Sequence, residues 1–207
     1  ENFLFEIIDI AKNKVVAIKP QVAFFEQWGP DGMSLLVKVS KLARENNILV
    51  IMDAKRGDIG STSDAYAKAW LGNNSPFGAN ALTVNPWMGI ETLFPFIKEA
   101  KKSKSGIFIL LKTSNAGSKD IQDLLVNNRA VFLHLADLIQ KDTSTNLGKF
   151  GYSNIGVVVG ATQPKDARLI RKILPKSLFL IPGFGAQGAN ASEAVSGLIL
   201  KNKIYEG

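Results

Sequence analysis

The sequence predicts an α/β protein of the (β/α)8 barrel class, and three observations carry that prediction. Short segments such as 107–111 and 157–159 are apolar at consecutive positions, the pattern of parallel strands buried on both faces. Each is followed by a stretch with helical spacing, so strand and helix alternate along the chain. Polar clusters then fall just after the strands: Lys19, Asp53 to Asp58, Asn85, Thr113 to Asn115, Gly160 and Gly183 to Gly188. A barrel gathers functional residues from the ends of many strands on one face, whereas a doubly wound sheet concentrates them at one switch point.

Taken in order, Phe3, Leu4, Ile7, Ile8 and Ala11 recur at helical spacing and predict an amphipathic helix near 1–13. Residues 15–18 predict a short buried strand, closed by Lys19-Pro20. After a loop holding Phe24, Phe25 and Trp28, Asp31-Gly32 opens a helix striped by Leu35, Leu36, Val39, Leu42 and Ala43. The second strand covers 48–55, and a helix follows over about 63–71 with Tyr66, Ala69 and Trp70 on one side. The third strand, 81–84, ends at Asn85-Pro86. Ile90, Leu93, Phe94 and Ile97 stripe the next helix, where Pro95 predicts a kink or a late start because it has no N–H to donate. The fourth strand is 107–111. A longer loop with Asn115 to Ser118 leads to a helix striped by Val131, Leu135, Leu138 and Ile139. The fifth strand is 157–159, and Thr162-Gln163-Pro164 starts the next helix with proline in its tolerated first turn. The sixth strand, 178–181, precedes a glycine loop at 183–188 and a last helix near 192–200. The expectation is a single domain over 1–207.

Composition narrows the function. No apolar run reaches the roughly 18 to 20 residues of a membrane span, and Glu1-Asn2-Phe3-Leu4 lacks the basic start of a cleavable signal. The absence of cysteine leaves no disulfide framework and no thiolate metal site, which suits a cytoplasmic protein. The net charge of +7 suits an anionic partner, but its one short cluster, Lys101-Lys102-Ser103-Lys104, reads as a solvated helix end. Nucleic acid is therefore not the expected partner; a small phosphorylated substrate needs only a few lysines.

The chemistry concentrates in Asp53-Ala54-Lys55-Arg56-Gly57-Asp58-Ile59-Gly60-Ser61-Thr62. Side chains alternate along a strand, so Asp53 and Lys55 share one face and Ala54 and Arg56 the other. Gly57 and Gly60 let the chain turn, with Asp58 in the turn. A lone Asp-x-Lys reads first as a salt-bridged strand end. Two carboxylates and a lysine within six residues, closed by Gly-Ser-Thr, are more specific. His134, the only histidine, sits mid-helix and reads as structural.

This run resembles the signature of the orotidine 5'-monophosphate decarboxylase family, in its branch with the Asp-Ala-Lys-Arg-Gly-Asp spelling. Three further segments agree in the same order: Ile18-Lys19-Pro20-Gln21 with Ala23-Phe24-Phe25-Glu26, Lys112-Thr113-Ser114-Asn115, and Pro182-Gly183-Phe184-Gly185-Ala186-Gln187-Gly188. The resemblance covers nearly the whole chain. It implies a (β/α)8 barrel that decarboxylates orotidine 5'-monophosphate to uridine 5'-monophosphate, the last step of de novo pyrimidine nucleotide synthesis, with no cofactor and no metal. It implies Lys55 as the cation and proton donor, Asp53 facing the substrate carboxylate, and Lys19 holding Asp53 and reaching the ribose. Asp58 and Thr62 are implied to enter the site of a partner subunit in a homodimer. Ser114 matches a contact to the pyrimidine edge, though by itself it is equally a loop-start cap. Gln187 matches a link between pyrimidine and phosphate, and the amides from Gly183 through Gly185 to Gly188 a phosphate nest. Ala116 stands where this branch usually has proline.

Six strands are counted where the family barrel has eight. The resemblance places the family's first strand before Glu1 and its eighth after Gly207, so a longer gene product is expected. Two rival readings stand beside this one. A sugar-phosphate decarboxylase or aldolase of the same superfamily uses a similar motif with Mg2+, but needs a carboxylate where this chain has Lys19. A non-catalytic nucleotide-binding barrel is the other.

Overall fold

The computed structural model describes residues 1–184, 188, 190–201 and 204–207. The chain divides into two compact units, Glu1–Ile107 and Phe108–Gly207.

The first unit runs α1 (Asn2–Ala11), β1 (Ala17–Ile18), α2 (Ala23–Glu26), α3 (Gly29–Glu45), β2 (Leu49–Arg56), α4 (Gly60–Leu71), β3 (Ala81–Val84), a 3-10 turn (Ile90–Leu93) and α5 (Phe94–Ser103). Strands β1, β2 and β3 lie side by side in that order and pair in parallel. Val50, Met52, Leu82 and Val84 are fully buried between them and the helices, together with Leu36, Phe96 and Ala100. Burial on both faces holds throughout β3, whereas β1 is only partly buried and β2 leaves Leu49 exposed. Pro95 occupies the first turn of α5, so the expected late start is what occurs.

Two local expectations need correction. Val15 and Val16 are exposed rather than part of a buried strand. The Val15 N–H still bonds the Ala11 carbonyl at the end of α1, and pairing with β2 begins only at Ala17 opposite Leu49. The helix expected to open at Asp31-Gly32 starts at Gly29 with Pro30 in its first turn. Gly32 serves packing instead: a Cβ there would overlap the Phe25 carbonyl oxygen and lie 2.8 Å from Trp28 Cβ.

The second unit takes over within β4 (Gly106–Lys112) and continues with a 3-10 turn (Ala116–Asp120), β5 (Leu125–Val126), β6 (Arg129–Ala130), α6 (Val131–Thr145), β7 (Ile155–Val159), α7 (Pro164–Ile173), β8 (Phe179–Leu180), α8 (Ala191–Ala194), a 3-10 turn (Val195–Gly197), β9 (Ile199–Lys201) and β10 (Ile204–Glu206). Strands β4, β7 and β8 are neighbours in that order, and β7 and β8 pair in parallel. All five residues of β7 are buried.

The β5–β6 hairpin was not expected from the sequence, although Asn127-Asn128 signalled it. Both take positive φ, 50° and 60°, as the two-residue turns that match strand twist demand. The last helix, expected near 192–200, stops after Ala194, and the chain forms the antiparallel pair β9–β10. Gly197 breaks it: a Cβ there would lie 2.8 Å from the Phe179 ring, and its carbonyl accepts from Arg171 Nε at 2.6 Å. Among the described residues no helix is long and apolar enough to cross a membrane.

Candidate active site

The site of the first unit is built where β1 and β2 run out. Pro20 cannot donate to the ladder, so β1 is interrupted after Ile18, and pairing resumes at a bridge between Gln21 and Asp53. The Asp53 N–H bonds the Pro20 carbonyl at 3.0 Å, and the Val22 N–H bonds the Asp53 carbonyl at 3.2 Å. This stitching places Lys19 and Gln21 beside a carboxylate more than thirty residues away in sequence.

Asp53 is buried, at 7% exposure, and both its oxygens are saturated. Oδ2 accepts from Lys19 Nζ at 2.6 Å and from Gln21 Nε2 at 3.1 Å. Oδ1 accepts from Lys55 Nζ at 2.6 Å and from Thr83 Oγ1 at 3.0 Å. Burial by itself raises the carboxyl's pKa, but the hydrogen bonds and charges of Lys19 and Lys55 outweigh it and hold Asp53 below the ordinary carboxylate range. The result is an ionised carboxylate gripped by two ammonium groups, one of which, Lys55, remains 45% exposed.

Lys55 does not reach this position by simple strand alternation. Its φ is +49°, and the β2–β3 register shifts between Met52 and Arg56. The expected pairing of Asp53 with Lys55 holds nonetheless, because the bulge turns the lysine back onto its neighbour. Arg56 pairs with Glu26 of α2 and lies over the Tyr66 and Trp70 rings, at 5.7 and 5.4 Å.

Asp58 and Thr62 are not brought into this set. Asp58 Oδ1 accepts from the Ile59 N–H at 2.8 Å in the turn after β2, and Thr62 is exposed in the first turns of α4. Neither hydrogen-bonds Lys19, Asp53 or Lys55 among the described residues.

In the second unit, Ser114 follows β4, and its carbonyl accepts from Thr162 Oγ1 at 3.3 Å. Gly160 is required beside it, since a Cβ there would lie 2.7 Å from Ser114 Cα. The preceding corner is fixed by Gln122, which accepts from the Thr113 N–H and donates to Thr113 Oγ1, both at 2.9 Å. Lys112 is fully buried, ion-paired to Asp123 and 3.8 Å from Asp166, with the Phe132 ring 5.2 Å away. Burial raises the Asp166 carboxyl, the Lys112 charge opposes the rise, and the Asp123 charge adds to it. Gly188 has φ +86° and is exposed. Gly185 and Gln187 lie outside the described residues. His134 Nε2 donates to the Val126 carbonyl at 2.9 Å, tying α6 to the hairpin, in keeping with a structural role.

Two residues that the site uses were given no role from the sequence: Gln21, quoted only as part of the Ile18-Lys19-Pro20-Gln21 segment, and Thr83. The signal for Thr83 was a hydroxyl inside the apolar run Ala81-Leu82-Thr83-Val84, where burial obliges it to find a partner. Among the described residues no group of three or more His, Cys, Asp or Glu is placed to hold a metal ion.

Parallel strands alternating with helices, with an ion-paired Lys-Asp-Lys set beside the strand ends, define a protein of the α/β class. The family model described as orotidine 5'-phosphate decarboxylase / HUMPS family matches residues 1–201, and the chain belongs to that family. It is 45% identical over 195 residues to an orotidine 5'-phosphate decarboxylase of Rhodopirellula baltica, covering 92% of this chain and 65% of that protein. A Caldicellulosiruptor bescii protein of the same name is 40% identical over 198 residues, at 92% and 65% coverage. The solved structure of Leishmania donovani OMP decarboxylase superposes with a TM-score of 0.78 at 34% identity, covering 91% of this chain and 70% of that one. The fold is thus the barrel class expected from the sequence. The chain spans about two thirds of the length of these curated relatives, 65% in both cases.

Proposed function

We propose that this chain carries the decarboxylating centre of an orotidine 5'-monophosphate decarboxylase, which releases CO2 and yields uridine 5'-monophosphate. The observation that carries the reading is the Lys19–Asp53–Lys55 set, with both lysines 2.6 Å from one buried carboxylate. Breaking the bond to the carboxylate carbon leaves an electron pair in the plane of the pyrimidine ring, where no adjacent carbonyl can accept it. A cation held at that carbon stabilises the developing charge. Lys55 supplies it, then transfers an ammonium proton to the same carbon, so that CO2 leaves and C–H replaces C–C. Asp53 faces the substrate carboxylate and repels it before the bond breaks. Lys19 orients Asp53 and reaches the ribose.

The remaining roles are supported by the resemblance. Ser114 meets the pyrimidine edge, Gln187 links base and phosphate, and Gly185 and Gly188 belong to the phosphate loop. The working form is a cytoplasmic homodimer in which Asp58 and Thr62 serve the neighbouring site; in support, Asp58 bonds the Ile59 N–H in the turn beyond β2 and Thr62 is exposed.

The Mg2+-dependent alternative is disfavoured by Asp53 itself, whose two oxygens are already taken by four donors, two of them cations. A metal would have to displace a lysine. Release of labelled CO2 from carboxyl-labelled substrate, measured with and without EDTA, tests both readings. Turnover unaffected by EDTA is expected. Loss in EDTA with recovery in Mg2+ would assign the chain to the metal-dependent branch, and binding of a uridine monophosphate analogue without turnover would leave a nucleotide-binding barrel.

A further inference from the structure

Strands β2 and β3 pair at Met52 opposite Leu82 and again at Arg56 opposite Val84. Between those points β2 has three residues, Asp53, Ala54 and Lys55, where β3 has only Thr83. The surplus displaces the β2 backbone from the ladder, and Lys55 absorbs it with a φ of +49°, which L side chains rarely adopt. An N–H lifted off a ladder needs another acceptor if it is not to stay unpaired. The Lys55 N–H finds the Thr83 hydroxyl at 2.9 Å.

That bond dictates what the hydroxyl does next. Having accepted from Lys55, it still has its own hydrogen to donate. Asp53 Oδ1 receives it at 3.0 Å, closer than the Met52 carbonyl at 3.5 Å. Thr83 is 1% exposed, so bulk water does not compete for either bond. One buried hydroxyl therefore joins the main chain of the lysine to the carboxylate that the same lysine's ammonium grips. Valine fills the same space but can make neither bond, whereas serine can make both.

We infer that Thr83 is a positioning residue, whose hydroxyl locks the bulged backbone of Lys55 and the carboxylate of Asp53 in one mutual orientation and so aims the Lys55 ammonium. What the ammonium acts on rests on the decarboxylase reading; the lock itself does not. Among the described residues, the charged groups facing Asp53 are Lys19, from the segment after β1, and Lys55 on its own strand, while β3 offers the Thr83 hydroxyl. Removing that hydroxyl leaves both lysines in place, so its loss reports on orientation rather than on charge.

The test compares Thr83→Val and Thr83→Ser with wild type in the intact protein, reading kcat, KM and the 13C NMR titration of the Asp53 carboxyl. Thr83→Val is expected to lower kcat by about 10- to 100-fold, the scale of a small misplacement of a reacting group. KM should stay within about threefold, since ground-state binding is untouched. The Asp53 titration should move to higher pH, because the ionised carboxylate has lost a donor. Thr83→Ser should restore all three. An unchanged Asp53 titration in Thr83→Val, wild-type kcat in that variant, or a serine variant as impaired as the valine one overturns the inference. If wild type itself gives no turnover, the decarboxylase reading falls, and the titration alone decides Thr83: a shift in Val that Ser reverses sustains the lock, and its absence overturns it. Should Thr83→Val fail to fold by circular dichroism, Thr83→Cys, of similar size and with only a weak donor, is read in its place.

Discussion

Asp53 keeps its charge in a buried position because four donors converge on it, and the two that are cations outweigh the cost of burial. The sign of the consequence follows from linkage. A carboxyl whose folded pKa lies below its unfolded value of about 3.9 stabilises the fold above that pH, and the contribution is lost as pH falls through the depressed folded value. Denaturation of wild type and Asp53→Asn across pH should therefore show a constant stability difference above about pH 5 that shrinks below about pH 4; a difference that grows on acidification would contradict the ion-paired state. Lys55 is the other residue-scale test. Lys55→Ala removes the more exposed of the two cations, so kcat should drop at least about a hundredfold while a uridine monophosphate analogue still binds by calorimetry. A variant that keeps a tenth of wild-type kcat would be incompatible with its role.

At the scale of elements, the short helix α2 matters because it follows directly on Lys19 and Gln21. It packs on α3 through Gly32, and its Glu26 is held by Arg56 at the end of β2. In an ordinary helix interior, glycine to alanine gains up to about 1 kcal/mol. Here the new Cβ meets the Phe25 carbonyl, and overpacking of about 1 to 3 kcal/mol should win. Gly32→Ala is expected to lower the denaturation midpoint and to weaken kcat, since the shift passes through α2 to Gln21. A stabilised variant would show that α2 yields freely. The elements that sequence pattern anticipated are those with a self-sufficient local signal: β4 with its apolar run 107–111, α5 with its late start at Pro95, α7 opened by Gln163-Pro164. The terminal hairpin was missed because the short apolar stretch Leu198-Ile199-Leu200 after Gly197 satisfies helix and strand spacing alike, and the choice was made at Gly197 by the Phe179 ring and by Arg171.

For the whole molecule, the proposed homodimer makes a prediction that no single chain can. If Asp58 serves the partner's site while Lys55 serves its own, Lys55→Ala and Asp58→Ala should each be nearly inactive alone. Mixing and re-associating them creates dimers in which one site is intact and the other carries both defects. Random exchange at equal concentration makes half the dimers mixed, so activity should return to roughly a quarter of wild type. Confirmed subunit exchange without recovery would mean that Asp58 acts within its own chain.

By itself the sequence determined the alternation of parallel strands and helices, the burial of β3 and β7, and the placing of Asp53 and Lys55 two residues apart on one strand. Those properties follow from residue spacing within a few positions, which is what side-chain periodicity encodes. Only the tertiary structure decided the left-handed backbone of Lys55, the Thr83 hydroxyl between lysine and carboxylate, and the grip of Gln21 on Asp53 beside the Lys19 contact that the family resemblance implied. Each depends on how two strands are registered against each other. A three-against-one bulge and a pairing resumed after Pro20 are properties of strand pairs, and no single strand's pattern contains them.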